Sequence, residues 1–72
     1  MREKLKKVRL DRHFTQQELA NRVGISRVHY TQIENASHNK KPSLEVAIKI
    51  KKVLNYSDDD LFLIQNVPNE NN

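Results

Sequence analysis

The sequence predicts an all-α fold of five helices, in which a tight turn separates the second helix from the third. Apolar residues recur at helical spacing through most of the chain, Ser or Thr precedes several of these segments, and no segment predicts a strand. The 72 residues suffice for one domain and leave no room for a second, catalytic one. We expect that domain to cover residues 1–67 and a disordered tail to follow over 68–72.

The charged residues are distributed unevenly along the chain. All thirteen Lys and Arg residues lie between Arg2 and Lys52, where five acidic residues leave a net charge of +8, and the four other acids leave −4 in the C-terminal stretch. A basic domain of this size is typical of nucleic-acid binders, although ordinary surface solubility explains the composition equally well. Without Cys, a membrane-length apolar run or an apolar signal region, we expect a cytoplasmic protein with no membrane contact and no cofactor.

The first predicted helix covers residues 2–12. Leu5 and Val8 lie at helical spacing among charged residues, and Leu10 and Phe14 close the segment. This pattern indicates an amphipathic helix with one face toward the core.

The second predicted helix begins after Thr15. Thr15 and Glu18 form a capping box, in which each side chain accepts a hydrogen bond from a free backbone N–H of the other residue. The buried face is apolar and consists of Leu19, Ala20 and Val23. Gly24 stands where a helix end requires a positive φ, so a turn of three or four residues follows.

The third predicted helix runs from Ser26 to about Asn35. Ser26 caps it, Tyr30 and Ile33 form its core side, and Asn35 tolerates the left-handed conformation at its end. The polar stretch over residues 36–41 is predicted as a loop that stops before Pro42.

Two further helices are predicted after Pro42. Ser43 begins the fourth, in which apolar residues alternate with three solvated lysines, and the run of acids after Ser57 begins a short fifth helix that contains Leu61 and Phe62. The three consecutive aspartates point in different directions around a helix, so we interpret them as helix-start acids rather than as a cation site.

The segment from Thr15 to Ser43 closely resembles the helix-turn-helix of the phage repressor and Cro family, often called the Xre family. The matching features are Gln16, Glu18-Leu19-Ala20, Gly24, Ser26, Ile33-Glu34-Asn35 and Pro42-Ser43. The resemblance extends from about Arg2 to Phe62 and implies a lambda-repressor-like, DNA-binding transcriptional regulator, most simply a repressor. It also implies an internal ion pair between Arg9 and Glu34.

Two positions depart from the family pattern. Ala36 stands where the family often has Gly, so we expect Asn35 to take the left-handed position or the helix end to be built differently. His13 stands where the family often has a turn-forming Gly, and we expect it to extend the first helix.

Helical geometry selects the residues of the third helix that can read bases. With Ile33 at the centre of the buried face, steps of about 100° per residue turn Arg27, Val28 and Thr31 outward and place Gln32 beside them. Arg27 suits guanine O6 and N7, Gln32 suits adenine N6 and N7, and Val28 suits a thymine methyl. The alternative for Arg27 and Gln32 is a solvated surface. His29 falls nearer the core side, where it packs on the second helix or contacts DNA.

The remaining candidate DNA contacts are to phosphates. Gln16, at the first turn of the second helix, is placed to meet a phosphate, and the resemblance assigns it that role and a brace on Arg27. Asn39, Lys40 and Lys41 lie in the loop where phosphates should pass, unless they are merely solvated. Ser26 completes the DNA-binding set. The three histidines have no metal-ligand spacing.

The alternatives concern partners rather than catalysis. No nucleophile with a base, glycine-rich phosphate loop or metal cluster is present, so we expect no enzyme. The apolar segment Leu61–Val67 fits a homodimer contact on a palindromic operator, and it also fits the protein-interaction surface of an antitoxin or a restriction-modification controller.

Overall fold

The computed structural model describes residues 1–64, apart from the side chain of Asn39, and shows an all-α architecture in that range. The elements, in chain order, are α1 (Glu3–Asp11), α2 (Gln16–Val23), α3 (Arg27–Asn35), a 3₁₀ turn (Ser37–Asn39), α4 (Leu44–Leu54) and a second 3₁₀ turn (Asp59–Phe62). The predicted boundary at residue 67 and the predicted tail over 68–72 lie outside the described residues. None of the helices described is long and apolar enough to cross a membrane.

Side-chain caps begin three of the four helices, as predicted. The Thr15 hydroxyl accepts a hydrogen bond from the Glu18 N–H at 3.0 Å, and the Glu18 carboxylate accepts one from the Thr15 N–H at 2.8 Å. Ser26 and Ser43 cap α3 and α4 in the same way, each by accepting from the N–H three residues later. These bonds satisfy backbone donors that the helices leave free.

The core collects one face of each helix. α2 packs on both α3 and α4, and α1 packs on α3 and on the second 3₁₀ turn. The fully or almost fully buried apolar residues are Leu5, Val8, Leu19, Ala20, Val23, Tyr30, Ile33, Ile50, Leu54 and Leu61. Phe14 packs against this core, whereas Leu10 is 52% exposed and does not belong to it.

The predicted fifth helix is wrong, because Asp59–Phe62 forms a single 3₁₀ turn. Its aspartates have partners elsewhere in the fold: Asp59 accepts a hydrogen bond from Lys51 at 2.6 Å, and Asp60 accepts one from the Tyr56 hydroxyl at 2.9 Å. No side chain caps the turn at Asp58. Tertiary pairing has therefore replaced the helix start that the acids suggested.

One turn prediction is also wrong, and the other is decided between its two alternatives. His13 does not extend α1, which ends at Asp11, but adopts a left-handed φ of 63°. Asn35 stays helical, and Ala36 itself takes the left-handed position with a φ of 56°, donating its N–H to carbonyl oxygens of α3. Both residues adopt the conformation that the family's glycine would supply, at the steric cost of a β-carbon.

Candidate nucleic-acid interface

A three-residue turn orients α3 against α2. Gly24 ends α2 with a φ of 90°, and its N–H donates to the Ala20 carbonyl. Ser26 then caps α3, so only the three residues 24–26 connect the two helices. A turn this short sets two helices at a steep angle, which leaves one face of the second helix uncovered.

The uncovered face of α3 is mostly polar. Arg27 and Gln32 are exposed, and Val28 between them is 62% exposed. Arg27 forms no side-chain hydrogen bond or ion pair with any residue of the described range. Thr31 and His29 of the same helix are half-buried. The residues named for base reading therefore share one accessible face.

A buried carboxylate holds α3 in place from behind. Glu34 is 1% exposed, and its two oxygens accept four hydrogen bonds. Arg9 reaches both oxygens, at 2.9 and 3.2 Å, the Tyr30 hydroxyl donates at 2.7 Å, and the Gln16 amide donates at 3.0 Å. The third Arg9 nitrogen donates to the Phe14 carbonyl at 2.7 Å. We call Arg9, Gln16, Tyr30 and Glu34 the carboxylate cluster; it joins α1, α2 and α3.

The carboxylate cluster favours the ionised form of Glu34. Burial alone would raise the pKa of Glu34, but the hydrogen bonds from Arg9, Tyr30 and Gln16 outweigh burial and lower that pKa. Burial and, to a smaller extent, the hydrogen bond to Glu34 raise the pKa of Tyr30. For Arg9, the bonds to Glu34 outweigh burial and raise the pKa. The ion pair is thus charged wherever the domain is folded near neutral pH.

Gln16 connects the carboxylate cluster to the exposed face of α3. Its Nε2 donates to Glu34, and its Oε1 accepts from the Thr31 hydroxyl at 3.2 Å. The expected brace on Arg27 is therefore replaced by one on Thr31, which is half-buried. An amide Nε2 carries two hydrogens, so one donor of Gln16 remains for another ligand.

The loop after α3 presents two lysines. Lys40 and Lys41 are exposed and follow the 3₁₀ turn Ser37–Asn39, and neither forms an ion pair with a described residue. His38 inside this turn has a left-handed φ of 51°, which is unusual for a side chain with a β-carbon. The side chain of Asn39 lies outside the described set, so its expected phosphate contact stays a prediction.

Sequence reasoning missed Arg2. Its side chain is 2% exposed; Nε donates to the Phe62 carbonyl at 2.9 Å, and Nη1 donates to the Ile33 carbonyl. Its backbone N–H donates to the Glu34 carbonyl, so Arg2 ties the C-terminal end of α3 to the second 3₁₀ turn. Burial lowers the pKa of Arg2. No local pattern distinguishes this arginine from the exposed cations around it.

An apolar surface lies beside the last 3₁₀ turn. Leu44 is 78% exposed, Leu63 is 58% exposed, and Ile48 lies one helical turn after Leu44 on α4 and is also exposed. A groove of about 400 Å³ is lined by Arg2, Lys41, Pro42, Leu44, Ala47, Phe62, Leu63 and Ile64. We call this surface the α4 groove. Of the predicted contact segment Leu61–Val67, residues 62–64 line this groove, whereas Leu61 is fully buried in the core and is not available for a contact; residues 65–67 lie outside the described residues.

Comparisons with known proteins agree with this geometry. A family model described as helix-turn-helix matches residues 5–61. An uncharacterized HTH-type transcriptional regulator of Bacillus subtilis, YqaF, is 43% identical over 70 residues, which cover 97% of this chain and 87% of that protein. One from Archaeoglobus fulgidus is 40% identical over 63 residues, covering 88% of this chain and 86% of that protein. No solved structure matches significantly.

These matches cover most of the chain and include both helices of the helix-turn-helix and the turn between them. The family is one of regulators rather than enzymes. The chain therefore belongs to the Xre/Cro-like family of helix-turn-helix DNA-binding proteins.

Proposed function

We propose that this protein is a cytoplasmic transcriptional repressor that binds a palindromic operator as a homodimer, with α3 of each subunit in the major groove. The observation that carries this proposal is the exposed face of α3, where Arg27 has no partner among the described residues and the carboxylate cluster anchors the helix from behind. A helix held in this way presents its side chains in a defined orientation, as base reading requires.

The proposed base contacts follow from side-chain chemistry. Arg27 pairs with guanine O6 and N7, Gln32 pairs with adenine N6 and N7, and Val28 contacts an apolar base edge. Thr31 already donates its hydroxyl hydrogen to Gln16, so its oxygen can only accept a further hydrogen bond, from a base amino group or from a bound water. Ser26 and His29 lie at the start of the helix, where the cap bond between them leaves their remaining polar atoms for DNA.

The proposed phosphate contacts come from the first turn of α2 and from the loop after α3. Gln16 retains one amide hydrogen at the first turn of α2, where the helix dipole favours an anion. Lys40 and Lys41 follow the 3₁₀ turn that ends at Asn39, in the connection from α3 to α4, and we assign all three residues to phosphates there. Contacts of this kind position the helix on the duplex and supply affinity without sequence information.

The α4 groove supports the homodimer. In a homodimer with its two-fold axis at this surface, the second subunit would cover Leu44, Ile48 and Leu63, which a monomer leaves in water. The same exposure favours a second candidate, an antitoxin or restriction-modification controller that docks a different protein there. Size-exclusion chromatography with light scattering separates the two: the proposal requires a dimer of the protein alone, and a monomer at high concentration, both free and on DNA, contradicts it.

The test of base reading compares Arg27→Ala with the double variant Lys40→Ala/Lys41→Ala. An operator is first selected from a random DNA pool, and affinities for it and for unrelated DNA are measured at several salt concentrations. Arg27→Ala should cost about 1–3 kcal/mol on the operator and little on unrelated DNA. The lysine variant should weaken binding to both DNAs and flatten the slope of log affinity against log salt by roughly one unit per lysine engaged.

Lys52→Ala serves as the matched control, since it removes one exposed charge from the far end of α4. Because it removes one charge rather than two, it should flatten the salt slope by less than half as much as the lysine double variant does. If Arg27→Ala weakens binding to both DNAs equally and flattens the salt slope, then Arg27 is a phosphate ligand and base reading depends on Val28, Thr31 and Gln32.

A further inference from the structure

Val28 is an unusual residue for its position on α3. It is 62% exposed, whereas the other exposed residues of that helix, Arg27, Gln32 and Asn35, are polar. A β-branched side chain also loses rotamer freedom in a helix, so Val contributes less to helix stability than most polar alternatives. A lone exposed Val would need no explanation on an ordinary surface, but this one lies in the first turn of the helix proposed to read bases.

Arg27 and Val28 are consecutive residues of α3, so the bases assigned to them in the proposed complex lie close together. Consecutive Cα atoms are about 3.8 Å apart, and stacked bases along one strand are about 3.4 Å apart. Adjacent residues at the start of a recognition helix therefore contact the same base pair or successive ones. If Arg27 selects a guanine, Val28 contacts an edge within about one base step of it.

The major groove offers few apolar edges to a valine. Among the unmodified bases, only thymine presents a methyl group there, at C5. 5-Methylcytosine carries the same methyl at the same ring position and differs from thymine in its exocyclic group. Val28 has no polar side-chain atom with which to distinguish a carbonyl from an amino group.

We infer that the ligand of the Arg27–Val28 pair is a 5-methylpyrimidine next to a guanine, so that the protein binds thymine or 5-methylcytosine at this position in preference to uracil or unmethylated cytosine. This inference rests on the proposed function, because it names the base chemistry that α3 reads. It adds a consequence that base sequence alone does not contain: methylation of a cytosine at this position strengthens binding.

The experiment uses duplexes that differ by single methyl groups. Each pyrimidine of the selected half-site is replaced in turn by thymine, uracil, cytosine and 5-methylcytosine, and affinities are measured by fluorescence anisotropy. At one position beside the guanine, thymine should bind about threefold to fivefold more tightly than uracil, the value expected for burying one methyl group. The ratio of 5-methylcytosine to cytosine should be similar, and the comparison of thymine with 5-methylcytosine identifies which base the native site uses.

Val28→Ala should bring both methyl ratios close to one, whereas Leu10→Ala, which truncates an exposed aliphatic residue of α1, should leave them as in the unaltered protein. The inference is overturned if no position depends on the methyl group, if the dependence survives in Val28→Ala, or if thymine shows it and 5-methylcytosine does not. Failure to bind any selected duplex would instead contradict the proposed function. Circular dichroism of Val28→Ala establishes that the exposed substitution leaves the fold intact.

Discussion

Replacing Glu34 with Ala tests the main structural role assigned to the carboxylate cluster. The substitution removes both oxygens that accept hydrogen bonds from Arg9, Tyr30 and Gln16. Arg9 is 6% exposed and keeps only its bond to the Phe14 carbonyl, while the fully buried Tyr30 hydroxyl loses its acceptor. The variant therefore buries a cation without its counter-charge.

The expected cost is large for a domain of this size. Removing one partner of a buried ion pair costs about 3–5 kcal/mol, and a 72-residue domain has a free energy of unfolding of roughly 4–11 kcal/mol. Since each kcal/mol shifts the melting temperature of such a domain by about 4–8 °C, Glu34→Ala should lower it by about 12 °C or more. Much of the available stability is lost, so the variant must be studied at low temperature.

Thermal and urea unfolding followed by circular dichroism measure this cost. Glu34→Gln keeps the side-chain volume and one acceptor and should lose less, and Arg9→Met combined with Glu34→Ala should lose less than the sum of the two single changes, because no buried charge is left unpaired. Operator preference is measured where each variant remains folded. An unchanged melting temperature with an altered operator preference would show that Glu34 acts in DNA reading and would refute this reasoning.

Three further outcomes are expected. The folded-state pKa of Glu34 lies below the reference value of 4.5, so the stability that ionised Glu34 contributes is complete above about pH 4.5 and is lost as the pH falls through the lowered pKa. The free energy of unfolding should therefore fall less steeply with acid in Glu34→Gln than in the unaltered protein. Ala36→Gly should raise the free energy of unfolding by about 0.5–1 kcal/mol and Gly24→Ala should lower it by at least as much in urea titrations, because both positions have positive φ; equal signs would contradict the argument. Leu63→Asp should give a folded monomer on size exclusion with weaker operator binding, and a persistent dimer would place the interface elsewhere.

The helix starts were predictable because they are local. Thr15, Ser26 and Ser43 each bond to a backbone N–H three residues away, and the sequence contains both partners of such a bond within one turn. The outward face of α3 was predictable for a similar reason. Once Ile33 is assigned to the core, the helical repeat alone determines that Arg27 and Val28 are exposed.

The helix ends were harder to predict. Ala36 and His13 adopt left-handed conformations that their residue types disfavour, because the surrounding chain requires a turn at those points. The short fifth helix failed as a prediction for a related reason. Lys51 and Tyr56 engage the aspartates that were expected to start it, and neither interaction is visible in the local pattern.

By itself, the sequence determined the all-α class, the helix-turn-helix, the starts of α2, α3 and α4, and the exposed face of α3, because each depends on residues within about one or two helical turns of one another. Only the tertiary structure decided that Gln16 braces Thr31 rather than Arg27, and that Arg2 is buried against the carbonyls of Ile33 and Phe62. Buried polar groups must find partners wherever the fold places them, and those partners lie up to 60 residues away along the chain.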